Sequence, residues 1–264
     1  MIVKPEEFQN QMSRLFPTGM KFGEKRVRTV TFQVTEDCNL RCTYCYQINK
    51  SRHHMTFETA KKFVDLILEG ETPYINHDNT TGLIIEFIGG EPFLEIDLID
   101  KITDYLFDRM IARRDPWLEK TMVSISTNGT LYFQPAVQAY VRKNINHLGM
   151  SVSIDGDKEL HDSCRVFPDG TGSYDMALKA AMHYRDEMHK ELGSKMTLSP
   201  ANVRYTAEAV KTMISQGYQQ IHLNCVYEEG WQPEHATTLF RQLKILADYL
   251  FSKGLHDEIY IALS

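Results

Sequence analysis

The chain has 264 residues, 42% of them hydrophobic and 24% charged, the make-up of an ordinary globular domain rather than a disordered or fibrous chain. Its net charge of −6 argues against a broad nucleic-acid surface, which is normally basic, and no run of about 18 apolar residues offers a membrane span. The N-terminus lacks the apolar core of a secretory signal, and five cysteines, three of them crowded together, make a poor disulfide framework, so reduced thiols and a cytoplasmic location are expected.

Residues 1–28 are mixed and polar, with Pro5, Pro17, Gly19 and Gly23, and read as a short helix and an arm. The basic cluster from Lys21 to Arg28 fits a solvated connection. From residue 29 to 264 the pattern is one domain of alternating elements. Short β-branched or apolar runs predict strands over 29–35, 83–89, 121–127, 148–154, 195–199 and 220–226. Helices are predicted over 56–69, 95–113, 134–145, 173–190, 202–216 and 234–252. Phe63, Val64, Ile67 and Leu68 share one face of the first helix, and Leu239, Leu243, Leu246 and Leu250 one face of the last. Thr56 and Pro135 are helix-start signals, and the Pro200 turn reads as another. Alternation at this spacing argues for a parallel sheet wrapped by helices. Six units are clear, and residues 259–263 are a candidate extra strand. In parallel barrels the active site gathers at the carboxyl ends of the strands, and every motif below follows a strand.

The first strand runs into Cys38-Asn39-Leu40-Arg41-Cys42-Thr43-Tyr44-Cys45. A structural zinc site wants four ligands, typically two separated pairs, and no second Cys-x2-Cys occurs. A redox pair has no use for Cys38. A ferredoxin-like run offers a fourth cysteine nearby, and none follows Cys45 until Cys164. Three thiolates can hold a cubane iron–sulfur cluster by three corners and leave one iron open. The spacing, with aromatic Tyr44 before the last cysteine, resembles the signature of the radical S-adenosylmethionine (SAM) enzymes. That resemblance implies an α/β partial (β/α)6 barrel, a [4Fe–4S] cluster on Cys38, Cys42 and Cys45, and SAM on the open iron. Tyr44 would pack against adenine or simply under the loop.

After the second strand comes Gly89-Gly90-Glu91-Pro92. Paired glycines let a backbone approach a ligand closely, and the segment resembles the family's Gly-Gly-Glu-Pro element, which contacts the methionyl amine of SAM. The third strand ends in Ser126-Thr127-Asn128-Gly129, where the resemblance places Ser126 and Asn128 near SAM or substrate. The fourth gives Ser153-Ile154-Asp155-Gly156, then His161-Asp162-Ser163-Cys164-Arg165. These resemble the peptide- and protein-modifying branch, which includes sulfatase-maturating enzymes and ribosomal-peptide maturases. By that likeness Ser153 would contact the ribose region and Asp155 the ribose or substrate. Arg165 would pair with the SAM carboxylate, a task suited to a planar, permanently charged donor; otherwise it forms an ion pair. Ser199-Pro200-Ala201-Asn202 resembles the same branch. Cys225 reads either as a substrate-facing thiol or as a small buried apolar residue, and Cys164 as the latter. No His-Glu-x-x-His or phosphate-loop pattern occurs.

The likeness implies an enzyme that cleaves SAM reductively and abstracts hydrogen from a peptide or protein, with a flavodoxin- or ferredoxin-like protein as reductant. Members of that branch usually carry a Cys-rich C-terminal domain, and no such tail precedes Ser264. The rival readings are an activase that makes a glycyl radical on a partner enzyme, and a non-catalytic iron–sulfur or SAM-binding module.

Overall fold

The structure, a computed structural model, describes residues 26–47, 50–70, 72–227 and 230–263. Most of the predicted N-terminal arm, residues 1–25, lies outside the described residues. Strand β1, Arg26–Thr35, begins three residues before its expected start. The rest follow as β2 Thr80–Gly89, β3 Thr121–Thr127, β4 Leu148–Val152, β5 Leu192–Leu198, β6 Tyr218–Cys225 and β7 Tyr260–Leu263. All seven pair in parallel in the order β1 to β7. The result is a half-barrel, the α/β fold expected, and residues 260–263 do form the extra strand.

The helices are α1 Phe57–Leu68, α2 Ile96–Arg113, α3 Pro135–Asn144, α4 Lys158–Cys164, α5 Tyr174–Asp186, α6 Thr206–Ser215 and α7 Pro233–Lys253. Thr56 caps α1 by accepting the Thr59 N–H at 3.2 Å, and Pro135 occupies the first turn of α3. Three expectations change. Phe63 is 49% exposed and leaves the buried face of α1 to Val64, Ile67 and Leu68. Helix α4 falls in a stretch predicted as loop, where Asp157 accepts the Leu160 N–H and supplies the cap. Pro200 does not open α6: the Asn202 amide takes the Ser199 N–H and donates to the Thr197 carbonyl, so a turn intervenes and the α-helix starts at Thr206. The α6 start is closed by Gln242 of α7, whose Oε1 accepts the Ala207 N–H.

Alternation along each strand separates two environments. Phe32, Val34, Ile85, Phe87, Val123, Ile125, Met196 and Leu223 face the helices and make the core. The opposite, concave side carries Thr31, Glu86, Ser124, Ser126, Ser151, Ser153, Lys195 and Thr197, with Ile84 and Ile88 of β2 among them. A closed eight-stranded barrel fills this space with branched side chains; here the serines of β3 and β4 leave a lumen. The sheet is thinnest between β4 and β5, where Ser151 pairs with Gly193 alone. The Ser194 hydroxyl bridges that seam by accepting the Ile154 N–H at 2.9 Å. No helix among the described residues is long and apolar enough to cross a membrane.

Candidate functional site

The cysteine loop is held on both flanks by backbone. Gly90 donates to the Thr35 carbonyl at 3.0 Å and Glu91 to Asp37 at 2.8 Å. A Cβ on Gly90 would sit 2.2 Å from the Asp37 oxygen and 2.8 Å from the Cys38 Cβ, so glycine is what lets the two loops meet. On the other flank Arg41 donates to Val166 at 2.7 Å and Thr43 to Cys164 at 2.9 Å. Beneath the loop, Asn39 donates to the Thr130 hydroxyl at 2.7 Å and accepts from Asn128 Nδ2 at 2.9 Å, tying the loop to the end of β3.

Cys38, Cys42 and Cys45 line one cavity of about 400 Å³ at the carboxyl ends of the strands, a volume within the range of small-molecule sites. Burial pushes the Cys38 and Cys42 thiols above their ordinary pKa, so thiolates there need a cationic partner. Donors already face the sulfurs: Leu40 N–H lies 3.4 Å from Cys38 Sγ, and Lys50 Nζ 3.5 Å from Cys45 Sγ. Such contacts stabilise anionic sulfur and tune a cluster's potential. Among the described residues no three His, Cys, Asp or Glu side chains converge on a single-ion site. Three thiols on one short loop are the donor set of a cubane cluster held at three corners, one thiolate per iron.

Of the twelve residues predicted for the site, ten line this cavity: the three cysteines, Tyr44, Gly89, Gly90, Ser126, Asn128, Ser153 and Arg165. Glu91 and Asp155 do not; both are fully buried behind its wall. Glu91 accepts the Thr127 hydroxyl at 2.7 Å and the Asn128 and Phe93 N–H groups at 2.8 and 3.1 Å. Burial pushes its pKa up to about 6 against those three donors. It joins the Gly-Gly turn to β3 from behind the cavity wall.

Asp155 has the same character. Arg165 Nε donates to it at 2.9 Å, the Thr197 N–H at 3.0 Å, and the Tyr44 hydroxyl completes its shell. Burial alone would raise its pKa, and the Arg165 guanidinium overrides that and holds it below the ordinary value. The guanidinium carbon lies 5.5 Å from the Tyr44 ring centroid, so Tyr44 packs against Arg165. The sequence left Arg165 as a SAM contact or an ion pair; it forms the ion pair, buried rather than on the surface, and still borders the cavity.

His161 was absent from the predicted site and orders this network. The Asp155 N–H donates to Nδ1 at 3.3 Å, which leaves the proton on Nε2 for Ser173 Oγ at 3.0 Å. Ser173 in turn donates to the Arg165 carbonyl at 2.8 Å. Burial, then Arg165, drives the His161 pKa down to about 4, so the ring is neutral. Lys50, Lys195, Thr197, Asn224, Cys225 and Tyr227 also border the cavity. Of these, Lys195 and Thr197 were readable as inward positions of β5 from their alternation with buried Met196 and Leu198.

Residues 32–213 match the Radical SAM superfamily. The chain belongs to that superfamily. The family uses a [4Fe–4S] cluster and SAM, and the matched span contains the loop, the Gly-Gly turn and the Asp155–Arg165 pair. The chain is 30% identical over 213 residues to the uncharacterised protein MJ0907 of Methanocaldococcus jannaschii, covering 81% of this chain and 67% of that one. It is 29% identical over 192 residues to the Fe-coproporphyrin III synthase of Methanosarcina barkeri, covering 70% and 40%. A serine-type anaerobic sulfatase-maturating enzyme of Bacteroides thetaiotaomicron matches at 30% over 144 residues, covering 52% and 31%. Native anSMEcpe with bound AdoMet and Kp18Cys peptide shares the fold at TM-score 0.70 and 20% identity, covering 89% of this chain and 63% of that chain. Apart from MJ0907, these proteins are matched over less than two thirds of their own length.

Proposed function

We propose that this chain is a radical SAM enzyme that holds a [4Fe–4S] cluster on Cys38, Cys42 and Cys45 and acts on a peptide or protein substrate. The observation that carries the reading is the convergence of the three thiols with the ends of β2, β3 and β4 on one cavity. When bound, the cluster and SAM supply one-electron cleavage of the sulfonium and an adenosyl radical that can take a substrate hydrogen. The chain's own residues do the rest. The Gly89-Gly90 turn brings backbone to the cofactor's amino acid end. Ser126 and Ser153 offer hydroxyls from adjacent strands. Arg165, held by Asp155, presents a fixed positive edge for a carboxylate. The buried network behind the wall keeps these groups in place while the loop shields them from water. A flavodoxin- or ferredoxin-like protein is the natural reductant, and the cytoplasm its setting.

Peptide as the substrate class rests on the Ser-Ile-Asp-Gly, His-Asp-x-x-Arg and Ser-Pro-x-Asn motifs, supported by the peptide-bound anSMEcpe structure. The tetrapyrrole enzyme among the relatives marks the main competing class. The test is anaerobic cluster reconstitution, then reduction with SAM and assay for 5′-deoxyadenosine. The expected result is iron near four per chain and 5′-deoxyadenosine from the native protein, with both lost in Cys42→Ala. Cleavage retained in that variant, or a cluster without 5′-deoxyadenosine, would defeat the assignment.

A further inference from the structure

The concave face below the cysteine loop holds a charge pair outside the groups assigned a role above. Lys195 on β5 reaches across the concave face to Glu86 on β2, with Nζ 3.3 Å from Oε1. Strands β3 and β4 lie between, and the contact is possible because Ser124, Gly149 and Ser151 have no bulk there. A Cβ on Gly149 would meet only the Val123 carbonyl at 3.8 Å, so the space above it is open.

The two partners are not equivalent. Glu86 has a second bond, from the Thr31 hydroxyl to Oε2 at 2.9 Å, and does not border the cavity. Lys195 does border it, with 37% of its side chain exposed. An ammonium has three donors, and among the described residues Glu86 takes one of them. The 3.3 Å separation at a half-open position makes a weak tether, of the kind that contributes little to stability. The backbone beneath is firm: the Lys195 carbonyl accepts from Arg165 at 3.3 Å. His222, registered beside Lys195 on β6, has its pKa lowered by burial and then by Lys195, so it adds no competing charge.

The wall as a whole is one-signed. The described residues that line the cavity include Lys50, Arg165 and Lys195 and no carboxylate, although the chain carries a net charge of −6. Lys50 faces Cys45, and Arg165 is bonded from behind to Asp155. Lys195 is held by the longer contact, 3.3 Å to Glu86 against 2.9 Å between Arg165 and Asp155.

Resting on the reading that this lumen receives a peptide, we propose that Lys195 is the specificity residue that takes an acidic side chain of the substrate. Glu86 holds the ammonium in place until the substrate carboxylate replaces it. The substrate then lies with its anionic group below the cavity and its reacting carbon toward the cysteine loop.

The test is binding to the cluster-loaded, SAM-bound protein, followed by ligand-observed NMR. The probes are N-acetyl-glutamate amide, its glutamine counterpart and butyrate. The glutamate probe is expected to bind about tenfold more tightly than the glutamine probe, the scale of one charge-assisted bond. Lys195→Met should erase that ratio. Glu86→Gln, which frees the ammonium, should widen it severalfold, a gain that misfolding cannot mimic. Equal binding of the two capped probes to the native protein, or an unchanged ratio in Lys195→Met, would overturn the assignment. So would a tenfold loss of SAM affinity in Lys195→Met, which would make the lysine a cofactor contact, or butyrate binding as tightly as capped glutamate, which would remove the peptide from recognition. Absence of 5′-deoxyadenosine formation would instead strike the enzymatic reading and leave these ratios intact.

Discussion

At the residue scale, the site depends on bonds made behind the cavity wall. Asp155, Arg165, Tyr44 and His161 form one network with an inward-facing edge. Two opposite charges removed from water persist only when their remaining bonding capacity is filled, and Thr197, Tyr44 and the Lys195 carbonyl fill it. His161 makes the network sensitive to pH. Its folded pKa is about 4 against the usual 6.5, so the unfolded chain takes up the proton first. Its contribution is complete above pH 6.5 and is lost as pH falls toward 4. The thermal midpoint should drop across that window, and His161→Gln should flatten the drop. An identical slope in the variant, followed by circular dichroism, would show that the ring is not the sensor.

At the scale of elements, the loops after β1 and β2 behave as one unit. Their contact is backbone on backbone at Gly90, with no space for a methyl group. Gly90→Ala must push Asp37 and Cys38 away, so the cluster loop moves and the cavity changes shape. The expected outcome is a folded protein whose SAM affinity falls about tenfold or more and whose iron content falls with it. That magnitude follows from the 1–3 kcal/mol typical of overpacking. Gly230→Ala, where no atom lies within 4 Å of the added Cβ and φ is not positive, is the control. Iron analysis and equilibrium dialysis with SAM measure both. Normal values in Gly90→Ala would mean that the loop junction is softer than its contacts indicate.

At the scale of the whole molecule, the half-barrel leaves open, on its concave side, space that a closed barrel would fill with side chains. Ligand occupancy should therefore raise stability. With SAM at about one hundred times its Kd, linkage adds about 2.7 kcal/mol, a rise in Tm of roughly 5–10 °C for a domain of this size. Calorimetry under anaerobic conditions should find that rise in the cluster-loaded protein and not in Cys42→Ala. An equal rise in both would mean that SAM binding does not depend on the cluster.

Much of this was legible in the sequence because it is local. Three thiolates within eight residues, a Gly-Gly turn after an apolar strand and the alternation of strand with helix all act over short stretches of chain. They pointed to the half-barrel, the cysteine loop and ten of the residues that line the cavity. Only the tertiary structure decided which side of the wall each polar group occupies. Glu91 and Asp155 adjoin residues that line the cavity, yet both side chains are fully buried behind its wall and bonded there. Phe63 fits the apolar stripe of α1 and still faces outward. Lys195 and Glu86 lie 109 residues apart and meet because the sheet curves and the side chains between them are small. Periodicity gives the face of a strand; curvature and long-range pairing decide what that face meets.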